Sequence, residues 1–174
     1  ARLVTRNGVI GLSAVDSDDT STTMNYDEAS VIVKSIKEGL MLRTDLKAPT
    51  IGTGYANVII NPYVDSKPMR GEVAFNQVQL RVLKPFIADV RKLEGNLSLA
   101  GKISGTLTNP LFNGELRVKD GQISMISLPV NLTNLQLHSS IRQNEATING
   151  AFNSGRGVGK LVGGIDWKDD LHIK

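Results

Sequence analysis

The sequence predicts an all-β chain, a mostly antiparallel meander of short strands with one helical turn. Three observations carry that reading. Apolar and polar residues alternate with period 2 in at least six separate segments, as they do on strands that bury one side. Glycine is frequent, 17 residues in 174, yet it shows no collagen-like period and often falls on the apolar parity. Apolar runs such as Val31-Ile32-Val33 and Val58-Ile59-Ile60 are short, far below the roughly 20 residues that a membrane-spanning helix needs.

In chain order, residues 14–24 form a flexible polar loop, because Asp16 to Thr23 contains no aliphatic side chain. Residues 27–37 could form a helix capped by Asp27, but the β-branched triplet at 31–33 favours a strand. Leu40, Leu42, Thr44 and Leu46 alternate with Met41, Arg43, Asp45 and Lys47 in the next strand, joined across Glu38-Gly39. Val73 and Phe75 sit on odd positions, but Val78, Leu80 and Val82 on even ones, which predicts a bulge near Asn76-Gln77. A helical turn is expected over Pro85 to Lys92, with Pro85 first and Phe86, Ile87 and Val90 on one face.

The clearest strand runs from Gly95 to Thr108, with Leu97, Leu99, Ile103 and Leu107 on one parity and Gly101 and Gly105 among them. Thr108-Asn109-Pro110 breaks it. Leu116 and Val118 alternate next, and Asp120-Gly121 reads as a tight hairpin turn before a strand begun by Ile123 and Met125. Leu135, Leu137 and Ile141 form another face, then Ala146, Ile148, Gly150 and Phe152. Leu161, Gly163, Ile165 and Trp167 form the last, running on into Leu171 and Ile173. That face is still alternating where the chain stops, and no initiator Met or signal peptide opens the chain, so a piece of a larger body is expected.

Several chemistries lack their residues. There is no cysteine, hence no disulfide framework and no thiolate metal site, and the two histidines, His138 and His172, lie far apart in sequence. Twenty basic residues against 17 acidic ones leave a net charge of +3, with both signs interleaved and no stripe for nucleic acid. Gly155 to Lys160 misses the spacing of a phosphate loop, since Ser154 stands where the first glycine belongs and Leu161 follows the lysine. Its glycines read as freedom for a twist or bulge. Asp16 to Asp27 lacks the sixth-position glycine and the final glutamate of a calcium loop. His138 is on the polar side of its strand, and Asp166, Asp169 and Asp170 read as the polar side of the last one. No catalytic group, metal or cofactor is nominated, and an enzyme is not expected.

What remains is apolar surface. One inward face per segment gives Val73, Phe75, Leu97, Leu99, Ile103, Leu107, Leu116, Val118, Ile123, Met125, Leu135, Leu137, Ile141, Ile148, Phe152, Leu161 and Ile165. If the sheet closes as a sandwich, these residues form an ordinary core. If it stays open, they line a groove for acyl chains or for another chain's apolar residues, and the inward glycines help it curve. The residues alone favour the closed core.

Three stretches carry a resemblance. They are Leu83-Lys84-Pro85-Phe86, the run from Leu93 to Pro110 with its Gly-bracketed strands, and Gly114 to Gly121. Leu128-Pro129-Val130, Leu135-Gln136-Leu137, Ile148-Asn149-Gly150 and Leu161 to Trp167 follow in order. In this order they resemble the C-terminal region of the TamB family, the translocation and assembly module subunits of Gram-negative bacteria, chiefly over residues 70–174. The resemblance implies an AsmA-like, bridge-type lipid transfer protein of the periplasm. Its β-taco-like body is a curved, open hydrophobic trough, and the full-length protein has an inner-membrane anchor. It implies a partner in TamA, an Omp85-type outer-membrane barrel, and phospholipid as cargo. It also implies a part in the assembly of outer-membrane proteins such as autotransporters, which makes a chaperone role for outer-membrane clients the alternative. Under that resemblance the open trough is expected over the closed sandwich.

Overall fold

The computed structural model describes residues 1–13, 21–49, 52–87, 89–127, 131–166 and 172–173. Among these residues eleven strands form one sheet in chain order. They are β1 (Arg2–Ser13), β2 (Ser21–Ile36), β3 (Gly39–Ala48), β4 (Gly52–Ile60), β5 (Met69–Gln79) and β6 (Val90–Gly105). Then come β7 (Pro110–Met125), β8 (Asn131–Gln143), β9 (Glu145–Ser154), β10 (Gly157–Asp166) and β11 (His172–Ile173). Every pairing is antiparallel, and β1 and β11 stay at opposite edges, so the sheet is open. A seven-residue 3-10 helix, Leu80–Phe86, links β5 to β6. Among the described residues no helix is long and apolar enough to cross a membrane.

The sheet is a single layer. Apart from the 3-10 helix, which packs on β6 and reaches β2, the substantial contacts between elements are all between neighbouring strands. The closed sandwich that the residues alone favour therefore does not form: among the described residues the apolar face meets no second sheet. Accordingly, no large side chain among the described residues is less than 2% exposed.

The alternation is translated into strands with few slips. Residues 27–36 lie in β2, with Lys37 in the turn after it, and not in a helix. The bulge expected near Asn76-Gln77 is present, with the register shifting between Phe75 and Val78 and Gln77 at φ 60°. The Thr108-Asn109-Pro110 break falls at the turn between β6 and β7, with Pro110 opening β7. Of the loop expected over 14–24, residues 14–20 lie outside those described, while Ser21 to Met24 pair with Ser13 to Ile10 as the start of β2.

Three expectations are corrected. The helical turn lies at Leu80–Phe86, not at 85–92, and Val90 to Lys92 already belong to β6. Leu80 and Leu83, three apart, share a side of a helix with three residues per turn, and both pack against the sheet. The even-parity run Val78, Leu80, Val82 is thus one strand residue followed by helix. Secondly, Asp120-Gly121 does not turn the chain. β7 passes straight through it, with Asp120 at φ 54° in a bulge that shifts register between Val118 and Gly121. A left-handed residue serves a bulge as readily as a hairpin, and Gly95, at φ 121°, gives room on β6: a Cβ there would stand 2.7 Å from the Gly121 Cα. Ile123 and Met125 consequently end β7 instead of opening the next strand. Thirdly, the last alternating face does not run on from Ile165 to Ile173. These two residues are antiparallel partners on β10 and β11, with Trp167 and Leu171 outside the described residues.

The best-packed region lies beneath the 3-10 helix. Leu80 (6% exposed), Val90, Leu93, Val118 and Leu135 (5%) form one buried cluster, with Leu83, Leu97, Leu116, Ile123, Leu137 and Phe152 packed around it. Val78 and Val82 form a second, against Phe75, Leu83 and Leu97. Burying Leu80 and Val82 is worth about 3–6 kcal/mol together. The helix has no side-chain cap, and its exit is fastened by the Ile87 amide donating to the Lys84 carbonyl at 3.3 Å. Farther along, the Ile126 amide donates to the Asp89 carbonyl at 2.9 Å and the Ser127 amide to Asp89 Oδ1 at 3.0 Å. These bonds tie the start of β6 to the end of β7.

Candidate functional site

Partners directly opposite each other in an antiparallel ladder point to the same side, so the apolar face can be followed across the sheet by register. A central row reads Leu3, Val31, Thr44, Ala56, Val73, Gly101, Gly114, Ile141, Ala146 and Ile165, one residue from each of β1 to β10. The register continues to Ile173 on β11. At about 4.8 Å per strand it runs for roughly 48 Å. Beside it, toward the Lys37-Glu38 turn, lies an outer row of Val33, Leu42, Val58, Gly71, Ile103 and Phe112. On the other side come a third row, Leu46, Gly54, Phe75, Leu99, Leu116, Ser139, Ile148 and Gly163, and a fourth, Val78, Leu97, Val118, Leu137, Gly150 and Leu161.

The residues nominated from the sequence are therefore brought together. Val73, Ile141 and Ile165 lie in the central row, Ile103 in the outer row, Phe75, Leu99, Leu116 and Ile148 in the third, and Leu97, Val118, Leu137 and Leu161 in the fourth. Ile123, Leu135 and Phe152 belong to the cluster under the 3-10 helix, and Met125 pairs with the buried Val90. Leu107 does not join them. β6 ends at Gly105, so Leu107 sits in the turn, 48% exposed, its amide donating to the Lys67 carbonyl. Sequence reasoning left out Val33, Leu42, Val58 and Phe112, whose period-2 spacing on β2, β3, β4 and β7 was the available signal.

Glycines level this face. A Cβ on Gly54 would stand 2.5 Å from Phe75 Cδ1, and one on Gly159 2.5 Å from Phe152 Cε2; each ring lies over the glycine directly opposite it. Phe112 covers two more: a Cβ on Gly101 would meet its Cζ at 2.5 Å, and one on Gly114 at 2.7 Å. Missing side chains on one strand thus accept rings from the next, and the rings pave the sheet instead of standing up from it. The small residues Thr44, Ala56, Gly101, Gly114 and Ala146 keep the central row shallow.

The opposite face is polar. Arg6 pairs with Glu28 across β1 and β2 at 3.1 Å, Lys92 with Glu94 at 3.0 Å, and Arg117 with Glu115 at 2.6 Å; Arg70 pairs with Glu38. Arg43 Nε donates to Asp45 Oδ2 at 3.1 Å, and that bond holds the guanidinium pKa above its ordinary value. His138 Nε2 lies 3.5 Å from Glu115 Oε2 on the same face, exposed to solvent. Two hollows on this side, of about 400 and 480 Å³, are lined largely by polar and charged residues of both signs. Among the described residues no group of three or more His, Asp or Glu could hold a metal ion. The exposed ion pairs stabilise little, about 0–1 kcal/mol each; they keep one side of the sheet wet while the other stays apolar.

A family model described as "TamB, N-terminal domain" matches residues 8–118, well over half of the chain. The chain belongs to the TamB family. The model's description gives no support to the C-terminal position that the motifs imply. Among curated proteins, the "Translocation and assembly module subunit TamB" of Haemophilus influenzae is 21% identical over 133 residues, covering 76% of this chain and 10% of that protein. The chain thus spans about a tenth of the length of the curated relative it matches. No solved structure matches it.

Proposed function

We propose that the chain is a segment of a hydrophobic groove that carries phospholipid acyl chains, in a translocation and assembly module serving outer-membrane biogenesis. The observation that carries this reading is the central row, apolar or small on ten consecutive strands and lying on a face that no second sheet covers. An acyl chain laid along it leaves water at about 0.8 kcal/mol per methylene, while its head group stays in solvent at the open side. Burial has no direction, so the chain can slide.

The same geometry supports lipid over polypeptide as the occupant of this face. The amides and carbonyls under the row are engaged with neighbouring strands, so a peptide lying on the face would find no backbone partner there. Each of its buried amides would then cost about 1–3 kcal/mol. A lipid tail carries no such groups. A client strand would have to pair at a sheet edge such as β1, whose outer side has no partner among the described residues. That is the second reading, with outer-membrane clients or a TamA-like Omp85 barrel as the strand donor. Periplasmic location, an inner-membrane anchor on the full-length protein, kinship with AsmA-like bridges and the absence of enzymatic chemistry belong to the same proposal. A photoreactive residue at Ile103 or Ile141, activated in cells, tests it: adducts to phospholipid support the groove, and adducts to polypeptide alone overturn it.

A further inference from the structure

The apolar face is not uniformly open. Where the four rows end toward β5's bulge, the 3-10 helix Leu80–Phe86 lies on the sheet, and Leu80 and Val82 reach 6% and 5% exposure there. The central row lies beyond it. Val73 and Ile141 are only half-buried, and among the described residues the substantial contact beyond sheet neighbours is made by that helix. The described residues thus supply an occupant for one side of the face and none for the other.

Resting on the groove reading, we propose that this helix is a fixed wall, and that it confines acyl chains to the lane formed by the central and outer rows. Undocking it would expose two of the most buried side chains in the molecule. Asp89 further anchors its exit through the Ile126 and Ser127 amides. The lane needs no such movement. Its shallow floor of Ala56, Gly101 and Gly114 is flanked by Val58 and Ile103. Leu97 and Val118, four positions along their strands from Gly101 and Gly114, lie about 13 Å away, beneath the wall.

Methyl-labelled NMR of the 174-residue chain with a short-chain phosphatidylglycerol tests this without altering the protein. Intermolecular NOEs from acyl protons are expected at the methyls of Val73, Ile103 and Ile141. At Leu80, Val118 and Leu135 they should be weaker by more than about tenfold, given that separation along the strands. In the Leu83→Asp variant, which loosens the helix, acyl NOEs should spread to Leu97 and Val118. Equal NOEs in both regions of the unaltered chain would make the helix a lid that opens and overturn the wall, leaving the groove reading intact. An unchanged pattern in Leu83→Asp would likewise remove the helix as the confining element. No NOE at any methyl overturns the groove reading, and the wall with it.

Discussion

Replacing Gly54 by alanine probes the paving of the apolar face. The new methyl would stand 2.5 Å from Phe75 Cδ1 and 2.6 Å from Cε1, while the next atom, Cγ, is 3.6 Å away. Only the ring obstructs it, so the ring must swing off the glycine and disturb its packing on Val78 and Val82. Overpacking of this kind costs about 1–3 kcal/mol. With Phe75→Ala already present, the obstruction is gone. Gly54→Ala should then be neutral or stabilise by up to about 0.5–1 kcal/mol, because alanine loses less backbone freedom than glycine in a strand. The coupling between the two changes is therefore expected at about 1–4 kcal/mol. Gly101→Ala makes the contrast: its methyl would meet the Asn113 carbonyl oxygen at 2.5 Å and the Gly114 Cα at 2.7 Å, and removing Phe112 cannot move backbone. Urea titration followed by far-UV circular dichroism reads the single and double variants of both pairs and the parent. If Gly54→Ala costs the same with and without the Phe75 ring, the paving argument is wrong.

Other substitutions test neighbouring steps. Leu80→Ala should cost about 2–4 kcal/mol in the same titration, whereas Val162→Thr, at a position 76% exposed on the polar side of β10, should stay within about 0.5 kcal/mol. Deleting Asp120 removes the extra residue of the bulge and forces Ile123 and Met125 onto the polar face; the expected result is a lost unfolding transition or aggregation seen by light scattering, and an unchanged urea midpoint would contradict it. Arg6→Ala should change stability by less than about 1 kcal/mol, an effect shrinking further in high salt, because both partners of the Arg6–Glu28 pair are exposed.

How much of this was legible in the sequence depends on how far each feature is local. Alternation is local, so β6, β8 and β9 could be read from their own residues, and the break at Thr108 to Pro110 likewise. The bulge at Gln77 showed itself because the apolar parity switches across it. The bulge at Asp120 did not: Asp-Gly offers a left-handed residue to either a hairpin or a bulge, and the choice is made by Gly95 on the neighbouring strand, 25 residues earlier. The 3-10 helix is not legible at its true position because Val78, Leu80 and Val82 alternate like a strand; only the register shift after Phe75 releases Leu80 and Leu83 to pack downward. The candidate face was legible as a list, yet its continuity was not. That Val33 and Ile103 belong to one row follows from the register of four successive antiparallel pairings, β2 to β6, and that Phe75 lies over Gly54 from one of them. Open against closed was likewise beyond composition, since a period-2 strand looks the same whether a second sheet or solvent lies over it.

The central claim is that the face of Val73, Ile103 and Ile141 takes up phospholipid. Native mass spectrometry after equilibration with phosphatidylethanolamine and phosphatidylglycerol vesicles measures this most directly, on the parent chain and on Ile103→Arg, with far-UV circular dichroism to verify that both are folded. The account predicts phospholipid adducts on the parent and their loss from the folded Ile103→Arg chain. A parent chain that carries no phospholipid, or adducts that survive the arginine unchanged, would contradict it.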